Sequence, residues 1–355
     1  MIDMLSDTVT PPTAAMRQAM FTAEVGDAGY GEDPTVQRLE ALAATLMGKQ
    51  EAAFMCSGTQ SNLAALLAHC RRGHEVIVGE RSDLYDFEAG GVSVVGGLVL
   101  HPVTTQADGR LALDDLRAAM RDKSDHQCAP PGIIVLENPH CQMGGRVLPA
   151  TYVDEVRALA DEHQIPIHLD GARIFNAAVA SQRSPAQLVA AVDSVQFCLS
   201  KGLAAPFGSM VCGTRSFIER VKRYRKLLGG GLRQAGIMAS AGIVALETMV
   251  DRLAEDHGRA SRLADALRTI PGVRLTPPVT ETNMVFFRVV RDDLSTAAFL
   301  AALNERGVRM GTLRDGVVRS VIHYMLSDDD IDRAAAAVRD VLSAESDPGE
   351  RRNQR

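Results

Sequence analysis

The sequence predicts an α/β fold with a mostly parallel sheet in a large domain, followed by a smaller C-terminal α+β domain. Short apolar runs alternate with amphipathic helical stretches over the first 250 residues, as in chains of β-α-β units. Several of these runs end on polar residues, and open α/β sheets bind ligands at the carboxyl ends of their strands. From about residue 251 the pattern becomes mixed, which favours a second domain of a different class.

Composition and charge narrow the classes of function. The 355 residues are 46% hydrophobic and 23% charged, which suits a globular enzyme of two domains. A net charge of −6 and the absence of Trp predict neither a nucleic-acid nor a membrane partner. No signal-peptide pattern opens the chain, and six scattered cysteines include no CxxC pair. We therefore expect a cytoplasmic protein with no metal site.

The elements of the large domain follow from apolar spacing. Residues 34–47 carry apolar side chains at helical intervals, and Gly58 opens a second helix after a turn. The further predicted elements are strands at 75–78 and 132–137, a helix at 149–163, and strands at 165–170 and 192–199.

The small domain is predicted by the same criteria. A charged amphipathic helix covers 252–267, and a final helix covers 328–342 behind a cap at Ser327 and Asp328. Between them we expect strands at 273–275, 282–289, near 308 and at 317–322, with a helix at 296–304. The domains are therefore placed at 1–250 and 251–342, and the polar residues 343–355 are expected to be a disordered tail.

Three short segments carry candidate chemistry, although each has an ordinary alternative. Lys201 follows a strand and precedes a loop rich in Gly and Ala, but it could be an exposed loop lysine. Asp170 ends a strand, where it could either serve catalysis or cap the next helix. The helix that starts at Gly58 exposes N–H groups that suit a phosphate, yet Ser, Thr and Gly also cap ordinary helices.

Taken together, these segments predict a site for pyridoxal 5′-phosphate (PLP). That cofactor requires a lysine for a Schiff base, a carboxylate for the pyridine nitrogen and donors for the phosphate. An acid at the end of one strand and a lysine 31 residues later fit adjacent units of a doubly wound sheet. The three pieces occur in that arrangement here.

At these residues the chain resembles the L-threonine aldolases, PLP-dependent enzymes of fold type I. The sequence Leu-Gly-Gly-Gly-Leu-Arg-Gln-Ala-Gly at 228–236 is the most characteristic match. The other matching stretches lie at 2–10, 30–35, 57–60, 88–90, 137–140, 144–147, 168–176, 200–208 and 282–284. With a looser match in the small domain, the resemblance covers residues 2 to about 340.

The resemblance implies cofactor contacts at matching positions. Lys201 would carry PLP, Asp170 would pair with the pyridine nitrogen, and Arg173 would reach the ring hydroxyl or the substrate carboxylate. The phosphate would be bound by Gly58, Thr59 and Gln60 and by Arg233 of a neighbouring subunit.

Substrate contacts are implied in the same way. Ser6, Arg173 and Arg319 resemble a clamp for the amino-acid carboxylate, although Arg319 could equally form a surface salt bridge. Tyr30 resembles a residue that is lent across a subunit interface. The first 15 residues would contribute to the site, and the protein would be a homodimer with shared active sites, assembled further into a homotetramer.

The chain departs from the family pattern near the predicted substrate. Asp83 stands where the family has a histidine that stacks on the PLP ring and assists the substrate hydroxyl, and Leu5 replaces a usual arginine. His126 lies one residue away from a second family histidine, so it is either a catalytic residue or a solvated loop residue. The candidate catalytic residues are therefore Lys201, Asp83 and His126.

The function implied is cleavage of an L-β-hydroxy-α-amino acid to glycine and an aldehyde. The substrate would be of the threonine, allo-threonine or phenylserine type. Because Asp83 replaces the histidine, the alternative is another PLP reaction at Cα, such as β-elimination, racemisation or aldol-type transfer with a different substrate. The sequence leaves open the preferred substrate, its stereochemistry, the choice between dimer and tetramer, and any structural cation.

Overall fold

Secondary structure in the computed structural model, which describes residues 1–344, follows the predicted periodicities. The strands are β1 (Ile2–Asp3), β2 (Glu51–Met55), β3 (Glu75–Gly79), β4 (Val99–Val103), β5 (Pro131–Glu137), β6 (Ile167–Asp170), β7 (Ser194–Cys198), β8 (Ser209–Gly213), β9 (Val273–Leu275), β10 (Met284–Val289), β11 (Val308–Arg309), β12 (Gly311–Thr312) and β13 (Val318–Val321).

The helices include several of a single turn. They are α1 (Ala14–Phe21), α2 (Pro34–Met47), α3 (Gly58–His69), α4 (Asp83–Asp86), α5 (Gly91–Val94), α6 (Leu113–Ala119), α7 (Ala150–Glu162), α8 (Ile174–Ser181), α9 (Pro185–Leu188), α10 (Arg215–Leu227), α11 (Gly236–Thr248), α12 (Leu253–Arg268), α13 (Thr296–Glu305) and α14 (Asp328–Ser343). No helix in the described part of the chain has the length and apolarity that crossing a membrane requires.

The best predicted helices have explicit end signals. Helix α2 spans the predicted residues because the Asp33 side chain accepts hydrogen bonds from its first turn and Gly48 ends it with φ of +60°. Helix α14 begins behind a capping box formed by Ser327 and Asp330. The other helices and strands that the sequence predicts are also confirmed, with ends that differ by a few residues.

The chain between Thr10 and Ala254 forms one unit around a seven-stranded sheet. The strand order is β2-β8-β7-β6-β5-β3-β4, and all neighbours are parallel except the two pairs that involve β8. Strands β3, β5, β6, β7 and β8 are buried along their whole length, as expected when helices cover both faces. The mostly parallel sheet is confirmed.

The second unit combines Met1–Val9 with the chain from Glu255 onward. Its four-stranded antiparallel sheet has the order β12-β13-β10-β9, and β1 pairs in parallel with β11. Ile2 and Met4 are buried in the same apolar core as Leu263, Phe287 and Phe299. The core of this unit is therefore assembled from both ends of the sequence.

These units differ from the predicted domain limits in two respects. The boundary falls between residues 254 and 255, and the first nine residues group with the C-terminal unit and not with 10–254. In the predicted tail 343–355, Ser343 still belongs to α14. Residues 345–355 lie outside the described part of the chain.

Candidate active site

Three polar residues form a row at the carboxyl edge of the large sheet. Glu137 ends β5 and is paired in register with Asp170, which ends β6. Asp170 is in turn paired with Gln196 on β7. All three side chains are buried, so each requires partners to offset the loss of water.

Asp170 accepts three hydrogen bonds from within the protein. Gln196 Nε2 donates to Oδ1 at 2.5 Å, Asn62 Nδ2 donates to Oδ2 at 2.9 Å, and the Ala172 N–H donates to Oδ1 at 3.0 Å. An ionised carboxylate is an acceptor only, and three converging donors suit that state. Asp170 therefore does more than cap the next helix, because two of its donors come from other elements.

Lys201 lies in the loop between β7 and β8 and is partly buried, so it is not an exposed loop lysine. Burial is the strongest influence on its pKa and lowers it, but the interactions with Cys198, Asp170 and Cys141 outweigh burial and the repulsion from Arg173, so the pKa is raised. Within residues 1–344, the Lys201 ammonium group forms no hydrogen bond or ion pair. It is a largely buried amine near a carboxylate and has no structural task of its own.

Close packing brings the start of α3 next to this loop. A Cβ atom on Gly58 would lie 2.9 Å from Cys198 Sγ, so glycine is required where the helix approaches the end of β7. Ser57 caps the helix by accepting a hydrogen bond from the Gln60 N–H at 3.2 Å. The N–H groups of Gly58 and Thr59 lie in the first turn, where an α-helix provides no carbonyl partner.

Gln60 also links α3 to the end of α10. Its Oε1 accepts from the Cys56 N–H at 3.0 Å, and its Nε2 donates to the Leu228 carbonyl at 3.3 Å. The Nε2 group has a second N–H, so the predicted role of Gln60 as a phosphate donor stays a prediction.

Arg173 is buried and contacts Cys141. Its Nη1 donates to Cys141 Sγ at 3.6 Å, and its charge lowers the pKa of Lys201. The structure thus brings Arg173 together with Lys201 and Asp170, as the resemblance implies.

Asp83 begins α4 beside Glu137. The Asp83 N–H donates to Glu137 Oε2 at 3.0 Å, and the Cys141 N–H donates to Oε1 at 2.7 Å. A carboxylate oxygen of Asp83, a carboxylate oxygen of Glu137 and Cys141 Sγ lie within 4.8 Å of one another. Burial, and then repulsion from Asp83 and Asp170, raises the pKa of Glu137 well above its usual value.

Sequence reasoning assigned no role to Glu88. Its Oε1 accepts from Asn62 Nδ2 at 2.8 Å, and its Oε2 is buried with no partner among residues 1–344. Burial, with repulsion from Asp170 as the next cause, raises the pKa of Glu88 to about 8. Glu88 and Glu137 both lie in stretches that match the family, but only the fold shows that they surround Asp170.

Arg233 and Tyr30 meet at a separate, exposed position. The Arg233 guanidinium lies 5.7 Å from the centre of the Tyr30 ring and forms an ion pair of 3.1 Å with Asp27. Both residues line a pocket of about 530 Å³ that also contains Lys222, Arg225 and Lys226. Within one chain, Arg233 is therefore paired with Asp27.

His126 is the candidate that the structure does not bring to the site. It is exposed in the loop that precedes β5, at the amino ends of the parallel strands. Strand β5 spans roughly 20 Å, so the loop before it and Glu137 at its end lie on opposite edges of the sheet. Within one chain, His126 therefore fits the second of its two predicted roles, that of a solvated loop residue.

Ser6 and Arg319 belong to the unit that combines residues 1–9 with the C-terminal part of the chain. Ser6 Oγ accepts from Thr8 Oγ1 at 2.9 Å, and Arg319 Nη2 on β13 donates to the Leu5 carbonyl at 3.2 Å. Both residues therefore lie beside the N-terminal segment. Their role in binding a carboxylate stays a prediction.

Comparison with known proteins agrees with this fold. The model of the beta-eliminating lyase family matches residues 3–290. Low-specificity L-threonine aldolase 1 of Arabidopsis thaliana is 41% identical over 350 residues, covering 98% of each chain. The low specificity L-threonine aldolase of Escherichia coli K12 is 43% identical over 344 residues, covering 97% of this chain and all of the relative.

The fold is shared with a solved structure as well. The threonine aldolase of Leishmania major superimposes with a TM-score of 0.81 at 19% identity, over 97% of this chain and all of that one. The chain belongs to the beta-eliminating lyase family, and its similarity to curated relatives is to proteins named low-specificity L-threonine aldolase.

Proposed function

We propose that this protein is a PLP-dependent aldehyde lyase. It cleaves an L-β-hydroxy-α-amino acid of the threonine type to glycine and an aldehyde, and it catalyses the reverse reaction. The observation that carries the proposal is the convergence of Lys201, Asp170 and the start of α3 at one edge of the large sheet. The names of the relatives at 41–43% identity support the same reaction.

The residues present fit PLP. Asp170 has the donors that keep a carboxylate ionised opposite a protonated ring nitrogen, and the Lys201 amine has no competing partner within residues 1–344. The first turn of α3 offers N–H groups and the positive end of a helix dipole to a phosphate. When bound, PLP supplies an aldehyde that reacts with amines and a ring that accepts the electron pair released at Cα.

The protein's own groups then determine which bond breaks. Arg173 is proposed to bind the ring hydroxyl or the substrate carboxylate, and a planar guanidinium holds either in a fixed direction. Asp83 is proposed to accept the proton of the substrate β-hydroxyl. Its N–H group donates to the neighbouring Glu137, whose pKa is raised by burial and by repulsion from Asp83. His126 is left out of this mechanism because it lies at the opposite edge of the sheet.

The partner subunit and the location are part of the proposal. We infer a homodimer in which Arg233 and Tyr30 complete the neighbouring site, and assembly to a tetramer. Their exposure supports a contact with an anionic group from outside the chain, and Lys226 adds positive charge to the pocket beside them, in which Glu40 is paired with Lys222 and Arg225. A cytoplasmic location is supported by cysteines that are all free in the described residues.

The test is product release by purified protein supplied with PLP. We expect glycine and the matching aldehyde from L-threonine, L-allo-threonine or β-phenylserine. Ammonia with a keto acid would indicate β-elimination, and formation of the Cα epimer without cleavage would indicate racemisation at Cα. Either of these results without aldehyde would overturn the proposed reaction.

A further inference from the structure

Behind Asp170, a continuous series of hydrogen bonds leads away from the proposed cofactor site. Asn62 Nδ2 contacts Asp170 Oδ2 at 2.9 Å, and Asn62 Oδ1 contacts His168 Nε2 at 3.1 Å. His168 Nδ1 contacts Ser194 Oγ at 2.8 Å, and Ser194 Oγ contacts His69 Nε2 at 2.8 Å. Asn62, His168 and Ser194 are at most 1% exposed. We call Asn62, His168, Ser194 and His69 the buried chain.

The fold explains how these four residues meet. Asn62 and His69 are two helical turns apart on α3, so they lie on the same face of that helix. His168 and Asp170 are two positions apart on β6, so their side chains point to the same side of the sheet. Ser194 is the register partner of His168 on β7.

One assignment of protons satisfies every contact in the buried chain. The Asn62 amide nitrogen donates to both Asp170 and Glu88, so Asn62 Oδ1 is left to accept from His168 Nε2–H. His168 Nδ1 then accepts from the Ser194 hydroxyl, whose oxygen accepts from His69 Nε2–H. Every donor points toward Asp170.

The charge states of the histidines agree with this order. Burial lowers the pKa of His168 and of His69 to about 3, so both rings are neutral at neutral pH and each has one N–H. The charged side chains that act on His69 are Asp193, which raises its pKa, and Arg220, which lowers it. The His69 ring is also held by stacking on Phe217 at 4.3 Å between centroids.

We propose that the buried chain is a positioning device that keeps the Asn62 amide nitrogen directed at Asp170 and so holds Asp170 ionised toward the PLP ring nitrogen. The inference rests on the proposed function for its cofactor. A reversed Asn62 would place its oxygen against two carboxyl groups, which is the arrangement that His168 prevents. Ser194 and His69 act only through the His168 tautomer.

The first test is the tautomer of His168, measured by long-range ¹H–¹⁵N correlation NMR on the PLP-loaded protein labelled at histidine. In the wild type we expect the proton on Nε2 of both His168 and His69. In Ser194→Ala we expect part of the His168 population to carry its proton on Nδ1. A proton on Nδ1 of His168 in the wild type would overturn the proposed order.

The second test follows the visible absorption of the PLP-loaded protein as a function of pH. A ring nitrogen that holds its proton less firmly withdraws fewer electrons from the linkage to Lys201. We therefore expect the midpoint in Ser194→Ala to move upward by about half a pH unit or more. In His69→Phe, which keeps the stacking on Phe217, we expect a smaller shift in the same direction.

Ser240→Ala is the matched control. Ser240 is also buried, but among residues 1–344 its hydroxyl donates only to the Ile237 carbonyl within α11. If the midpoints of the wild type, Ser194→Ala and Ser240→Ala coincide, the link to the cofactor is overturned. If no variant develops a visible band with PLP, the proposed function fails, while the same NMR measurement on protein without PLP still decides the order of the hydrogen bonds.

Discussion

Asp83 lies beside Glu137, at the position where the resemblance places a histidine. Burial and repulsion from Asp83 raise the pKa of Glu137, and Asp83 is the group proposed to accept the proton of the substrate hydroxyl. We expect Asp83→Asn to lower kcat for threonine cleavage by roughly 100-fold or more, with little change in KM. Asp83→His should exceed the wild-type rate if the aspartate is only a weaker base. Steady-state kinetics would measure both changes.

Asp86→Asn provides the control for this substitution. Asp86 lies on the same short helix but accepts a hydrogen bond from Gln142 Nε2 at 3.1 Å, and nothing assigns it a part in the reaction. It should leave kcat within about twofold of the wild type. Equal activity of Asp83→Asn and the wild type would remove Asp83 from the mechanism.

Glu88 predicts a measurable dependence of stability on pH. Folding raises its pKa from the usual 4.5 to about 8, so the folded state binds this proton more tightly than the unfolded state does. The free energy of unfolding should therefore fall as the pH rises from 4.5 to 8, by at most about 1.4 kcal/mol for each pH unit. Glu88→Gln should remove this loss, and urea unfolding of protein prepared without PLP would show it.

The exposed Glu80 supplies a comparison from the same region. Glu80→Gln should keep the pH dependence of the wild type, because the side chain of Glu80 is exposed to water in the folded state as in the unfolded state. Parallel stability curves for Glu88→Gln and the wild type would mean that Glu88 is ionised in the fold.

At the scale of single elements, the loop that carries Lys201 is held by close packing. Gly208 has φ of +96°, and a Cβ atom there would lie 2.4 Å from the Phe54 ring. Gly208→Ala should therefore lower the free energy of unfolding by about 3 kcal/mol and weaken PLP binding. Thermal melts and PLP titration would measure the two effects.

Gly73→Ala separates backbone strain from crowding. Gly73 has φ of +86°, but no atom lies within 4 Å of the position that a Cβ atom would take there. The substitution should cost about 1 kcal/mol and leave PLP binding unchanged. Equal losses in the two variants would show that the fit against Phe54 does not matter.

Local sequence signals account for the elements that were predicted, and long-range pairing accounts for those that were not. The two ends of helix α2 could be predicted because Asp33 immediately precedes its first turn and Gly48 immediately follows its last turn. Strand β8 was not predicted, because its five residues follow a loop rich in Gly and Ala, and only pairing with β2 and β7 defines it.

The site shows the same division. Lys201 and Asp170 could be found because each stands at the C-terminal end of a strand. The rule that ligands bind at such strand ends can be applied without knowing the tertiary structure. Asn62 and His168 stand in the same stretches, but their task depends on which face of the sheet α3 covers. The face that α3 covers is determined by tertiary packing, so it cannot be predicted from the local sequence pattern.

For the whole molecule, shared sites predict complementation between two inactive variants. Lys201→Ala lacks the proposed Schiff-base amine, and Arg233→Ala lacks the proposed contact to the partner's phosphate. Mixed dimers would contain one site with both residues intact. Random assembly after coexpression should restore about one quarter of wild-type activity, measured as glycine released.

Two results would contradict shared sites. Full activity of Arg233→Ala alone would show that the arginine is not required. A coexpressed mixture no more active than its parents would show that each chain completes its own site. Light scattering on the same samples would establish that the variants still associate.

The pairing of β1 with β11 has a consequence for how the chain is made. The two strands are separated by about 300 residues, although Ile2 and Val308 lie side by side in the finished fold. At about 5–20 residues per second, a ribosome needs some 15–60 seconds to travel from one to the other. During that interval Ile2 and Met4, which end up buried, have no partner strand or core to enter. The unit from Thr10 to Ala254 is therefore fully synthesised before the residues that Ile2 and Met4 pack against.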